Sequence, residues 1–181
     1  DEQELLRSTA RKFFENECAS DTVRRLMETP EGITPELWKK MAEQGWLGLV
    51  YPEAYDGMGL GLVDLVVLME EMGRAVVPGP FFSAVILGGL AILEAGSEAQ
   101  KAEWLPKVAS GEAIAAYALT EPETGSDAAN IAMSAEPGIG GWLLTGEKSY
   151  ISNGTIADVL TVFARTGGEG ARGISAFIVR G

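Results

Sequence analysis

Up to about Gly111 the apolar residues recur at helical spacing, and from Ala113 onward they fall into short runs separated by turn residues. In the first segment Leu5, Leu6, Phe13, Phe14 and Cys18 fall near one face, with charges between them. Thr34 offers an N-cap with Pro35 at the first helical position, and the stripe Leu37, Trp38, Met41 stops at Gly45. After the Gly-rich loop YPEAYDGMGLG, the run LVDLVVLMEEMGRA is apolar on most sides, which predicts a helix packed against more than one neighbour. Pro78-Gly79-Pro80 then opens FFSAVILGGLAIL, read as a buried helix ended by Gly96. Ser97 to Gln100 has the S-x-x-Q form of a capping box, predicting a helix that carries Trp104, Leu105 and Val108 inward, with a kink at Pro106.

Beyond Ala113 the runs IAAYAL, NIAMSAE, GWLLTGE, SYIS, DVLTVFAR and GISAFIVR read as strands between Gly, Asn and Asp turns. The expected fold class is therefore α+β: an all-α domain over 1–112, then an antiparallel β-barrel or sandwich domain over 113–181. Too few strands are present to close a barrel, so that domain is expected to be incomplete.

Composition narrows the chemistry. A net charge of −12 and a pI near 4.4 disfavour nucleic acid and anionic membranes as partners. Histidine is absent and Cys18 stands alone, which excludes a disulfide framework, a Cys/His metal site and a His-based triad. Proton chemistry is left to carboxylates, Lys or Tyr. The charged start DEQELLRSTARKFF lacks the apolar core of a secretory signal, so a cytoplasmic or matrix-like location is expected. Ala75–Leu93 is uncharged, but its Pro-Gly-Pro interruption favours a buried helix over a membrane span.

Two clusters carry candidate chemistry. In YALTEPETGSD, Thr120 and Ser126 supply hydroxyls that donate to ring or phosphate oxygens, and Gly125 permits close backbone approach and a positive φ. In LLTGEKSYISNG, Tyr150 is placed to flank a flat ring and Ser152 to hydrogen-bond its edge. Taken alone, the first cluster reads as an ordinary surface turn and the second as an ordinary strand with alternate residues inward.

Together, after a helical first half, they resemble the acyl-CoA dehydrogenase family. The likeness extends through Y-P-E-x-Y-x-G-x-G (Tyr51–Gly59), E-E-M-G-R-A, G-S-E-A-Q-K-A-E-W-L-P (Gly96–Pro106), A-L-T-E-P-x-x-G-S-D and G-E-K-S-Y-I-S-N-G. The resemblance implies a helical N-terminal domain, a middle β-domain and a C-terminal helical domain that this chain lacks. It further implies FAD as cofactor and an acyl-CoA substrate oxidised to the trans-2-enoyl thioester. A carboxylate takes the α-proton, flavin N5 takes the β-hydride, and electrons pass to an electron-transfer flavoprotein.

Carried onto these residues, the resemblance assigns Tyr117, Leu119 and Thr120 to the flavin ring and Gly125 and Ser126 to its phosphate or ribityl side. Tyr150 and Ser152 are set against the ring, and Phe81, Ser83 and Leu87 against the acyl chain. The family's base lies in the domain that is missing, so no carboxylate here is assigned as catalytic, and the 181-residue chain alone is expected to be inactive. Glu121 and Asp127 are read as loop-fixing residues. Thr124, Asn130 and Tyr150 depart from the commoner family residues. A homodimer or homotetramer is implied. The alternative is a non-catalytic subunit of a heteromeric acyl-CoA dehydrogenase.

Overall fold

Thr34 caps its helix as the pattern requires: its hydroxyl accepts the Leu37 N–H at 3.1 Å, Pro35 opens the first turn, and Gly45 leaves with φ +76°. The computed structural model, which describes residues 2–29 and 32–181, contains six α-helices and a five-stranded sheet. They are α1 Glu2–Glu17, α2 Ser20–Met27, α3 Pro35–Glu43, α4 Leu62–Arg74, α5 Leu90–Ala95 and α6 Glu98–Ala109. The strands are β1 Ala115–Ala118, β2 Ser134–Gly138, β3 Gly141–Thr145, β4 Val159–Arg165 and β5 Ile174–Arg180. No helix among the described residues is long and apolar enough to cross a membrane.

The chain divides into two compact units. One runs to Phe81 and takes up Leu105–Glu112; the other comprises Phe82–Trp104 and Ala113–Gly181.

In the helical unit, α1 buries Ala10 and Phe14, and Phe13 and Phe14 both pack their rings on Trp46. Leu5, expected on that face, stands exposed. Helix α4 buries Leu65, Leu68 and Met72, yet Leu62, Val63 and Val66 are exposed, so its apolar girdle is covered on one side only. The loop after Tyr51 folds back tightly, with Gly57 so close to the Tyr51 carbonyl that any Cβ there would collide with it.

In the second unit the Pro-Gly-Pro break does not open an ordinary helix. Phe82–Gly89 forms a π-helical segment before the chain tightens into α5. This segment is only partly buried: Phe82 and Leu87 face outward, while Ala84, Val85 and Gly88 turn inward. The capping box at Ser97 is formed in both directions, by Ser97 N–H to Gln100 Oε1 at 2.8 Å and Gln100 N–H to Ser97 Oγ at 3.3 Å. Helix α6 continues through Pro106 to Ala109 and buries Trp104, Leu105 and Val108.

The sheet is mixed and does not close. Strand β4 pairs antiparallel with β5 along its whole length and parallel with β1 on its other edge, from Ala115↔Val159 to Ala118↔Val162. The β2–β3 hairpin joins that edge through Ser134↔Arg165, also parallel. The expected all-antiparallel pairing is thus corrected for β1–β4 and β2–β4. More than a dozen residues separate each of these strands from β4, enough for the chain to return in the same direction. Asp158 fixes this register by accepting the Ile114 N–H on its carboxylate at 2.8 Å while its own N–H donates to the Ile114 carbonyl. The run SYIS, expected as a strand, lies in a loop between β3 and β4.

Candidate flavin cavity

Strand β1 presents Tyr117 and ends at Ala118, releasing Leu119 and Thr120 into the first of two loops. That loop turns sharply, with reciprocal hydrogen bonds between Glu121 and Thr124 at 3.0 and 3.2 Å and Pro122-Glu123 at the corner. The second loop leaves β3 at Gly146, whose φ of +148° places it so near Met133 that a Cβ would lie 2.8 Å from the Met133 Cα. The two loops are tied by the Ser149 N–H, which donates to the Thr120 carbonyl at 2.9 Å. Further on, Asn153 (φ +65°) donates from Nδ2 to Ser83 Oγ at 2.7 Å and, at 3.4 Å, to the Ala115 carbonyl. The loop is therefore also anchored to the π-helical segment.

Tyr150 adopts φ +57° and is 94% exposed. A bulky residue in left-handed backbone is uncommon and costs free energy, and such conformations cluster at functional sites. Here the strain holds an aromatic ring out at a cavity mouth.

That cavity has a volume of about 260 Å³. Tyr117 comes to it from β1, Leu119 and Thr120 from the first loop, Tyr150, Ile151 and Ser152 from the second, and Ser83 and Leu87 from the π-helical segment. Neither the Thr120 nor the Ser152 hydroxyl has a hydrogen-bond partner among the described residues, so both remain available to a ligand. Burial pushes the Tyr117 hydroxyl up from its ordinary value, keeping it a neutral donor. Pockets that enclose whole drug-sized ligands hold about 300–1,000 Å³, so this one suits part of a planar ring system rather than a complete dinucleotide. A more apolar recess of about 430 Å³ adjoins it, sharing Leu87 and Tyr117 and continuing past Leu90 and Phe163.

The Glu121 carboxylate, buried in the first loop, is fully engaged. Burial would raise its carboxyl, but the hydrogen bond from Lys148 and those from the Ala132 and Met133 N–H groups outweigh burial and hold it below the usual carboxylate range. Asp127 pairs with the Asn130 amide.

Seven of the residues singled out from sequence therefore meet at one cavity: Tyr117, Leu119, Thr120, Tyr150, Ser152, Ser83 and Leu87. Gly125 and Ser126 sit on the exposed part of the first loop and do not line it. Gly125 does not take the positive φ expected of it, and an added Cβ would meet no protein atom within 4 Å. Phe81 is buried in the helical unit and does not line the cavity either. Sequence reasoning missed Ile151, Asn153 and Lys148; the first two lie next to named residues, and only the Lys of G-E-K gave a signal, as a lone cation between the hydroxyl clusters.

The family model of the acyl-CoA dehydrogenase N-terminal domain matches residues 1–112, and that of the middle domain matches residues 116–181. The chain belongs to the acyl-CoA dehydrogenase family. An acyl-CoA dehydrogenase of Bacillus subtilis is 38% identical over 181 residues, covering 98% of this chain and 47% of that protein. Among solved structures, an acyl-CoA dehydrogenase of Bacillus anthracis complexed with FAD superposes with a TM-score of 0.84 at 36% identity, over 99% of this chain and 31% of the other. The steroid acyl-CoA dehydrogenase Tcur3481-Tcur3483 (G363A variant) gives a TM-score of 0.86 at 35% identity, over 99% of this chain and 48% of that one. The chain spans about half the length of the curated relatives it matches. Its α+β architecture is that of the acyl-CoA dehydrogenase fold, represented by the portion that carries the N-terminal helices and part of the middle sheet.

Proposed function

We propose that this chain is the flavin-holding portion of an FAD-dependent oxidoreductase that introduces an α,β double bond into an acyl-CoA thioester. The observation that carries the reading is the convergence of two unpartnered hydroxyls, Thr120 and Ser152, with the rings of Tyr117 and Tyr150 and the apolar Leu87 and Ile151 on one cavity. This donor set fits an isoalloxazine ring: an apolar body between flat walls, with a polar edge that needs hydrogen-bond donors. Bound FAD supplies the two-electron acceptor for the β-hydride while the α-proton leaves to a base.

Tyr117 and Tyr150 flank the ring, and Thr120 and Ser152 fix its rotation by bonding its edge. Gly125 and Ser126, free of protein contacts on their outer side, are assigned to the phosphate or ribityl end. Leu87 and the adjoining recess offer an apolar wall to an acyl chain, and Ser83 stands at the same wall. Its hydroxyl takes the Asn153 hydrogen bond, which makes it as much an anchor as a substrate contact. Phe81, which lines neither cavity, is assigned no part of this wall. The reading extends to 1–112 and 113–181 as the two domains, to a cytoplasmic homo-oligomer, and to an electron-transfer flavoprotein as electron acceptor.

No lining residue of the cavity is a carboxylate, and Glu121 is held ionised by three donors, which makes it a poor proton acceptor. The 181-residue chain alone is accordingly expected to reduce no dye with short, long or sterol-type acyl-CoA thioesters, even with FAD added. Turnover by this chain would place the base within it and refute the assignment.

The flavin placement is tested in the natural full-length protein by Thr120→Ala and Ser152→Ala. Each removes one hydrogen bond, a net contribution of about 0.5–1.5 kcal/mol, so FAD affinity should fall a few-fold to about tenfold. Equilibrium titration of the apoprotein with FAD reads this directly. Wild-type affinity and flavin absorbance in both variants would move the ring elsewhere.

A further inference from the structure

Lys148 lines no part of the cavity, yet it touches both sides of the residue that does. Its Nζ donates to the Leu119 carbonyl and to Glu121 Oε1, each at 2.8 Å, and so brackets Thr120. The next residue completes the grip, because the Ser149 N–H donates to the Thr120 carbonyl. The two side chains are dry: Lys148 is 8% and Glu121 6% exposed. The Glu121 carboxylate reaches further, accepting the Ala132 and Met133 N–H groups that lead into β2. One ion pair thus joins the end of β1, the start of β2 and the loop that bears Tyr150 and Ser152.

Burying a lysine and a glutamate carries a desolvation penalty that a pair of apolar side chains of the same volume avoids, so stability alone does not call for this arrangement. What the charged pair adds is direction. Each Nζ–H···O contact fixes where one main-chain segment stands relative to the other. With the carbonyls of Leu119 and Thr120 both held from the second loop, Thr120 is kept at the cavity wall in fixed register with Ser152.

We propose that Lys148 is the positioning residue of the flavin site, clamping the first loop to the second through Leu119 and Glu121 so that Thr120 and Ser152 meet the ring edge together. The proposal rests on the flavin reading above. Lys148 itself touches neither cofactor nor substrate.

The test uses the natural full-length protein with Lys148→Met, Lys148→Arg and the double variant Glu121→Gln/Lys148→Met. In Lys148→Met, FAD affinity is expected to fall at least tenfold and the flavin midpoint potential and absorption band to shift, with Lys148→Arg restoring most of both. The double variant removes the unpaired buried carboxylate, so it should regain thermal stability but not FAD affinity, because the Leu119 carbonyl stays untethered. It also decides the matter should Lys148→Met fail to fold. Hydrogen exchange on the flavin-free protein gives an independent reading: the Ser149 amide should exchange at least tenfold faster in the double variant than in wild type. FAD affinity within twofold of wild type in the double variant, with unchanged potential and Ser149 exchange, would overturn the proposal and leave the pair a fold stabiliser. Wild-type protein that retains no flavin would instead sink the flavin reading, while the exchange rate would still judge the clamp.

Discussion

Glu71→Ala is expected to destabilise the helical unit by about 3 kcal/mol, near the lower end for breaking a buried ion pair, because its partners remain partly solvated. Glu71 is 2% exposed on α4 and serves three arginines. Arg11 binds it with both Nη2 (2.7 Å) and Nε (3.0 Å), Arg74 reaches it through Nε at 3.0 Å, and Arg7 approaches to 3.5 Å. Arg7 and Arg74 extend the network to Glu70 and Glu15, so the cluster ties α1 to α4. At this chain length about 3 kcal/mol corresponds to a Tm lower by roughly 6–12 °C.

The hydrogen bond from Arg11, aided by Arg74, pulls the Glu71 carboxyl down to about 2 against the opposing effect of burial. A carboxyl depressed in the folded state contributes stability above its unfolded pKa of about 4.3, and that contribution is lost as pH falls toward the folded value. Denaturation of wild type and Glu71→Gln should therefore differ most above about pH 5 and converge toward about pH 2. A gap that stays constant across that range would show that the arginines do not act through the carboxylate charge.

Gly88→Val is the second large effect, and it falls on the site. An added Cβ at Gly88 would lie 2.6 Å from the Ala115 Cβ and 3.0 Å from the Ala115 carbonyl carbon, so backbone must move. Overpacking of this kind costs about 1–3 kcal/mol. The displaced partners are the π-helical segment that carries Ser83 and Leu87 and the strand that carries Tyr117. Loss of that alignment should lower FAD affinity at least about tenfold, the equivalent of one to two lost hydrogen bonds. FAD titration alongside thermal unfolding reads both consequences; a destabilised variant with wild-type FAD affinity would mean the cavity tolerates a shifted wall.

Features decided by near neighbours were legible in the sequence. The caps at Thr34 and Ser97 bond three residues ahead, and both formed as read. The burial of Trp38, Met41, Leu105 and Val108 followed helical spacing in the same way. Strand partnership depends on where distant segments meet, which no local period encodes, so β1 and β4 were expected antiparallel and run parallel. SYIS misled for a different reason: its apolar and polar alternation is that of a strand, but Tyr150 takes left-handed backbone that a bulky aromatic does not announce. The cavity-facing hydroxyls stood out because their neighbours are turn formers. Lys148 did not, because its importance comes from a carboxylate and a carbonyl brought to it from 27 and 29 residues away.

The π-helical segment also changes the phase of everything it carries. In an α-helix residues seven apart return to nearly the same side. Across this wider winding, Ser83 borders the hydroxyl-lined cavity whereas Leu90 borders the apolar recess. Because i→i+5 winding turns less per residue than the roughly 100° of an α-helix, Leu90 lags behind the Ser83 side instead of returning to it. The two openings share Leu87 and Tyr117 yet draw different neighbours from one segment, so its winding as well as its side-chain identity decides which residues each receives.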